Sequence, residues 1–395
     1  MDLQAKAETS AALGLYVHVP FCAHTCDFCG FYQEAPDRAG LQEYLDTVEQ
    51  EVAASPPPRP VQTVFFGGGT PGLLMPKDLL RLGKALAPYL DPAGVEWTVE
   101  MAPSTVKADK VAALLEMGAN RISMGVQSFQ PRLLEALGRR HDLRQIYRAI
   151  DTLRAGGIRN LNLDLIFAIP GQSANDWEAD LKELIAVGPE HVSTYCLTFE
   201  EDTALWLRLQ KGEVKRLSEE AEIAFFETSW RLLAQAGYGQ YEISNYARPG
   251  FACRHNCDTW RMQEWIGYGP SASSQIGGRR FTNTPDLRRW REGILVGKPA
   301  RIDVVALTAA TLAADALIFG LRMNAGISRA QLAQRFPAAP WEAFDSLADS
   351  LAAEGLLEPD AGRWRLTPAG RLMADAVGEA FLAESLEAEK EEALA

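Results

Sequence analysis

The chain has no apolar run approaching the ~18 residues of a membrane span, and it has no low-complexity segment or internal repeat. Its opening residues, MDLQAKAETSAALG, lack a basic start followed by an apolar stretch, so no signal peptide is expected. Basic residues are in deficit. The 39 Lys and Arg against 52 Asp and Glu give a net charge of −13, which argues against a general nucleic-acid or membrane-surface binder. Histidine is scarce at five residues and cysteine at six. With no sign of secretion, a reducing cytoplasmic setting is expected, and it suits free thiols better than disulfides. The 395 residues suffice for two or three domains and a large core.

Half of the cysteines stand together. Cys22, Cys26 and Cys29 are spaced C-x3-C-x2-C directly after a strand-like run, Tyr16-Val17-His18-Val19-Pro20. Three thiolates on so short a loop can face one point in space, and an odd number argues against disulfides. Three ligands leave one coordination position open, where a small molecule can bind and react. On spacing alone an iron–sulfur cluster, a zinc site and a redox Cys26-x-x-Cys29 pair all stay open.

From 15 to about 237 the pattern is strand then helix, repeated six times. Strands are predicted at 15–19, 61–66, 95–101, 121–126, 160–168 and 191–199, with helices near 39–54, 76–89, 106–118, 131–138, 143–156, 174–187 and 216–237. Such alternation implies parallel strands with right-handed crossovers. Six units are two short of a closed eight-fold barrel, so the fold class is α/β with an open, partial (β/α)6 barrel. Sites in such folds lie at the C-terminal strand ends. The distinctive residues fall there: the cysteine loop after strand one, Gly67-Gly68-Gly69-Thr70-Pro71 after strand two, Glu100 near the end of three, Gln127 after four and Asp164 within five.

Taken singly, each has a plain structural reading. GGGTP is also a tight turn, Glu100, Gln127 and Asp164 are also solvated rim residues, and Arg139 is also a helix-end cation. Together they supply backbone N–H groups, acceptors and a planar cation.

The segments YVHVPFCAHTCDFC, FFGGGTPGLL, NRISMGVQSFQPRLLEALGR, NLDLIFAIPGQS and YEISNYARPG resemble the radical S-adenosylmethionine (SAM) superfamily, and within it the oxygen-independent coproporphyrinogen oxidase group, over nearly the whole chain. The resemblance implies a [4Fe–4S] cluster on Cys22, Cys26 and Cys29, with SAM chelating the fourth iron. It implies SAM contacts from Tyr16, Phe28, Gly68, Gly69, Thr70 and Glu100, and also from Gln127, Arg139 and Asp164. The decarboxylating oxidases usually carry another cysteine where this chain has Phe31, and a longer N-terminal extension. Both departures point to the heme-chaperone branch.

That branch carries an H-N-x-x-Y-W motif implicated in heme handling. Here His255, Asn256 and Trp260 match, while Thr259 replaces the tyrosine. His255 is the candidate heme ligand and Cys257 a second candidate thiolate. Ser273 stands where the group usually has histidine. Cys196 reads as a core thiol, His24 as solvent-facing, and His18 as either core or site-lining. Arg279, Arg280, Arg288 and Arg289 read as a solvated face.

The expected organisation is an N-terminal extension (1–14), the partial barrel (15–237), a connecting segment with the heme-motif-like loop (238–300), a smaller helical, winged-helix-like C-terminal domain of the oxidase group (301–383) and a charged tail (384–395). The resemblance places the C-terminal domain beside the active site.

Two functions are expected in order. The first is a heme chaperone that binds heme with cluster and SAM and passes it to an acceptor protein. The second is a radical enzyme on a tetrapyrrole, of the coproporphyrinogen dehydrogenase type, with an electron donor that reduces the cluster. A zinc-binding protein is a third reading.

Overall fold

The computed structural model describes residues 12–360 and 362–394. Most of the expected N-terminal extension and Ala361 of the expected turn lie outside them. Six parallel strands form in the predicted order: β1 (Leu13–Val19), β2 (Thr63–Gly68), β3 (Glu96–Met101), β4 (Arg121–Gln127), β5 (Leu161–Phe167) and β6 (His191–Cys196). Between and after them run α1 (Arg38–Ala54), α2 (Pro76–Leu86), α3 (Ala108–Met117), α4 (Pro131–Ala136), α5 (Leu143–Ala155), α6 (Ala174–Val187), α7 (Ala204–Gln210) and α8 (Glu219–Gln235). The strand pleat sorts their side chains. Val64, Phe66, Trp97, Val99, Ile122, Met124, Leu163 and Leu165 are at most 1% exposed in the core beneath the helices. Alternate residues, among them Phe65, Glu100, Ser123, Asn162, Asp164 and Ser193, face the concave side.

The helix starts are written in the sequence. Asp37 accepts the Gly40 N–H, and Asp142 with Gln145 and Ser173 with Asp176 form capping boxes. Each such cap is worth about 1 kcal/mol. Gly118 and Gly188 end their helices in the left-handed conformation that suits glycine.

The sheet does not stop at six strands, and it does not close. Residues read as a connecting segment extend both edges: β7 (Gly239–Gln240) and β8 (Asn245–Ala247) beyond β6, and β9 (Glu264–Tyr268), β10 (Ser273–Ile276), β11 (Arg279–Asn283) and β12 (Arg301–Ala306) beyond β1. β9 runs parallel to β1, and β10 to β12 are antiparallel additions. At the outer edge, Asp303 with φ 51° sits in a bulge, where Asp303 and Val304 oppose Phe281 alone.

Between β8 and β9 lies a short helix, α9 (Arg254–Trp260), and after β11 comes α10 (Leu287–Leu295). The C-terminal unit packs α11 (Ala309–Leu321), α12 (Arg329–Arg335), α13 (Trp341–Ala353), α14 (Pro368–Leu372) and α15 (Ala374–Leu394) with a small antiparallel sheet. In that sheet β15 (Arg363–Leu366) lies between β13 (Ile327–Ser328) and β14 (Leu357–Asp360). Its own core centres on Leu317, Phe344, Trp364 and Phe381. It docks on the α9 region: Trp260 packs tilted against Phe319, Arg322 lies over Trp260, and Arg335 donates to the Arg261 and Met262 carbonyls.

Candidate active site

The cysteine loop is pinned at its neck and its far side. Cys22 N–H donates to Glu34 O and Glu34 N–H to Pro20 O, which closes the loop like a clasp. Asp27 N–H donates to Leu137 O, and Asp27 O accepts from Leu205 N–H at the start of α7, a helix the sequence did not signal. Phe28 packs on an apolar cluster that includes Leu133, Leu137, Ile166 and Leu205. These contacts hold three half-buried thiols beside one another. Loss of hydration raises the Cys22 and Cys29 thiol pKa values, and the neighbouring sulfurs raise them further. Among the described residues no three His, Cys, Asp or Glu side chains converge on a point that one metal ion would occupy. A cube that binds each cysteine on a different iron has no such requirement.

A cavity of about 620 Å³ opens beneath the loop at the C-terminal strand ends. It gathers Cys22, Cys26, Cys29, Phe28, Gly68, Gly69, Thr70, Glu100, Gln127, Arg139 and Asp164 from six separate stretches of chain. Two expected residues do not line it. Tyr16 stacks on Phe65, with its hydroxyl 3.2 Å from His18 Nδ1. His255 lies below, at the N-terminal ends of the strands, with Nδ1 2.9 Å from Thr63 Oγ1 and its ring on Phe65. Its neighbour Asn256 reaches the cavity floor.

The glycine turn is shaped by close approach. A Cβ on Gly69 would stand 2.7 Å from the Phe21 carbonyl oxygen, and one on Gly68, at φ 102°, would meet the His18 ring. Gly69 N–H donates to Val19 O and Thr70 N–H to Phe21 O, so the turn is stitched to the root of the cysteine loop. Thr70 Oγ1 lies 3.5 Å from Cys22 Sγ.

Two carboxylates share the wall. Loss of hydration lifts Glu100 to about 8, and the Asp164 charge adds to it, while the Gly68 N–H bond works in the opposite direction. Asp164 is raised for the same leading reason, against hydrogen bonds from Asn162 and Ser193. The atoms Gln127 Oε1 and Arg139 Nε are buried without a hydrogen-bond partner. This set fits SAM in charge and shape: carboxylates for its ammonium, a guanidinium for its carboxylate, unused polar atoms, and a turn that a Cβ would fill.

Other residues fall elsewhere than expected. Cys196 packs against the main core but is half-buried rather than buried: β6 ends there, the side chain also lines the cavity, and loss of hydration pushes its pKa up to about 12. His24 is half-buried, with Nε2–H donating to Gly138 O. His18 is buried against the glycine turn. Cys257 is buried in α9. Ser273 bonds Thr282 across β10 and β11, and Thr259 donates to His255 O. Arg280 of the basic face is paired with Asp315 at 2.6 Å. The C-terminal unit does not reach the cavity, whose described lining ends at Asn256.

Sequence reading missed Arg121, Ser123, Asn162 and Ser193, all of which line the cavity. The signal was present as polar residues at alternate positions in Arg121-Ile122-Ser123 and Asn162-Leu163-Asp164, the pattern of strands with one polar face.

Residues 16–184 match the family described as the radical SAM superfamily, and residues 307–373 match the HemN C-terminal domain. The chain is 33% identical over 376 residues to heme chaperone HemW of Bacillus subtilis, covering 93% of this chain and 99% of that protein. It is 34% identical over 391 residues to heme chaperone HemW of Escherichia coli, covering 94% and 98%. In structure it is similar to coproporphyrinogen III oxidase (HemN) of Escherichia coli, a radical SAM enzyme, at a TM-score of 0.82 and 25% identity over 94% of this chain and 90% of that one. The chain belongs to the HemW family of the radical SAM superfamily, and with that membership go a [4Fe–4S] cluster and SAM.

Proposed function

We propose that this chain is a cytoplasmic heme chaperone that carries its cluster on Cys22, Cys26 and Cys29 and SAM in the cavity below, binds heme, and passes it to an acceptor protein. The end-to-end match to proteins named heme chaperone HemW carries the reading. With an electron from an external donor, the cluster and SAM would supply radical chemistry able to abstract hydrogen. The chain's own part is to hold them. Glu100 and Asp164 neutralise the SAM cations, Arg139 meets its carboxylate, the Gly68–Gly69 backbone approaches closely, and Phe28 with its apolar support excludes water at the loop.

For heme, His255 is the candidate ligand. Its Nδ1 lies 2.9 Å from Thr63 Oγ1; in the tautomer whose Nδ1–H donates to that hydroxyl, Nε2 keeps its lone pair for iron, the usual arrangement of a metal-binding histidine and its outer partner. Cys257 is the alternative on the same helix. The test is a heme titration of anaerobically reconstituted protein, with iron and sulfide quantified beforehand. Saturation near one heme per chain, with a Soret band distinct from free heme, supports the chaperone. An intact cluster without specific heme binding refutes it.

A second reading is a radical enzyme on a tetrapyrrole, favoured by the likeness to HemN and by the expected SAM contacts that, Tyr16 apart, gather in the cavity. Release of CO2 with SAM consumption on a porphyrinogen would establish it.

A further inference from the structure

Beneath Asp164 runs a file of hydrogen bonds that cofactor binding does not use. Asn162 spends both amide hydrogens, one on Asp164 Oδ1 at 2.7 Å and one on Ser123 Oγ at 2.8 Å. Its carbonyl oxygen must therefore accept, and it lies 2.6 Å from Nδ1 of His191. That ring nitrogen carries the proton, so Nε2 is an acceptor, and the Tyr241 hydroxyl donates to it at 2.8 Å. The Tyr241 oxygen in turn accepts the backbone N–H of Cys253, the N-cap residue of α9, at 3.4 Å. Every direction is fixed by the acceptor-only carboxylate at one end and the donor-only amide at the other. His191 is fully buried and Asn162 nearly so, which leaves the file few other arrangements. The Tyr241 carbonyl also accepts Asn324 N–H, so the same residue abuts the C-terminal unit.

We propose that His191 is a positioning residue, and that the Asp164–Asn162–His191–Tyr241–Cys253 file couples occupancy of the cavity to the α9 segment that carries His255 and Asn256. This rests on the reading that SAM binds against Asp164. A SAM group that fixes the Asp164 carboxylate fixes each member behind it in turn and holds the Cys253 amide more tightly. Linkage requires the converse while the file is intact, so that a ligand or partner that holds the start of α9 more tightly raises SAM affinity by the same factor.

The experiment is amide hydrogen exchange across 250–262 in reconstituted protein with and without SAM, alongside a direct SAM titration. SAM is expected to slow exchange at the start of α9 at least about fivefold. Tyr241→Phe and His191→Asn each cut the file on the α9 side. Asn keeps a donor for Asn162 but offers nothing to Tyr241. Both variants should bind SAM as the parent does and lose the α9 response. His191→Gln keeps an acceptor for Tyr241 but loses the donor to Asn162, and it should weaken SAM binding as well. SAM binding with unchanged α9 exchange in the parent, or an undiminished response in both Tyr241→Phe and His191→Asn, overturns the relay alone. Failure of the folded, reconstituted protein to bind SAM overturns the cavity reading and the relay with it.

Discussion

Nη1 of Arg139 donates to Cys26 Sγ at 3.3 Å, while Nη2 holds the Gly125 carbonyl at 3.2 Å. The guanidinium therefore ties the cysteine loop to the end of β4. Hydrogen bonds to cluster sulfurs raise the reduction potential. Arg139→Ala is expected to assemble a full cluster, lower its potential in a redox titration and weaken SAM binding about tenfold, ~1.4 kcal/mol. An unchanged potential would place Arg139 outside the cluster's surroundings.

The cluster ligands can be separated from the other thiols. Cys26→Ala is expected to lose the cluster, read as iron and sulfide per chain. Cys196→Ala, at the same cavity wall, and Cys257→Ala, in α9, are expected to keep it. Retention of four irons in Cys26→Ala would sink the ligand assignment.

Glu100 gives the site a pH dependence. Its folded pKa, about 8, lies above the unfolded value near 4.5. The folded state thus binds the proton more tightly, and the resulting stability is complete below about 4.5 and lost as pH rises through about 8. SAM brings positive charge to the carboxylate and favours its ionised form. SAM-free protein should therefore melt lower as pH rises through this window, while SAM binds tighter and releases a proton. Calorimetry in buffers of different ionisation enthalpy reads that proton. Glu51, lifted to about 7 by burial, drives stability in the same direction, so the difference between parent and Glu100→Gln isolates the Glu100 share.

For heme, His255→Ala should weaken binding and shift the Soret band. Thr63→Val, which removes the Nδ1 partner without touching the ring, should cost roughly tenfold or more in affinity. An unchanged heme spectrum in His255→Ala would move the assignment to Cys257.

Gly69→Ala tests the stitched turn. The new methyl meets Phe21 backbone atoms at 2.7–2.9 Å, which cannot rotate away. The expected cost is about 1–3 kcal/mol, and the displaced loop root should lower cluster yield. Loss of stability with full cluster loading would separate the turn from the loop.

The order of the six parallel strands was legible because each is a short apolar run followed by a helical stretch, several of them opened by a side-chain cap, as at Asp142 and Ser173. The cavity was legible because Gly68, Glu100 and Gln127 fall at or near strand ends and Asp164 lies within the fifth strand, all on the cavity wall. The rest depended on contacts between residues distant in sequence. Nothing local says that Glu264 to Tyr268 will pair with β1 rather than form a separate unit. Nothing local says that Glu96 will accept the Arg254 and His255 amides and seat α9 under the cavity. The half-burial of His24 and the place of Cys196 on the cavity wall escape local reading for the same reason: their surroundings come from residues distant in sequence, as with Gly138 beside His24.

The bulge at Asp303 bears on what becomes of the protein at high concentration. Ile302, Val304 and Val305 are all exposed on the last strand of a twelve-stranded sheet. Flat, that edge would be a template for another chain's backbone and a seed for fibres. A residue at φ 51° in its middle breaks the row of donors and acceptors into two short pieces and places a carboxylate between the apolar side chains. Among the described residues, the sheet is terminated there by its own backbone, without a further strand paired to it.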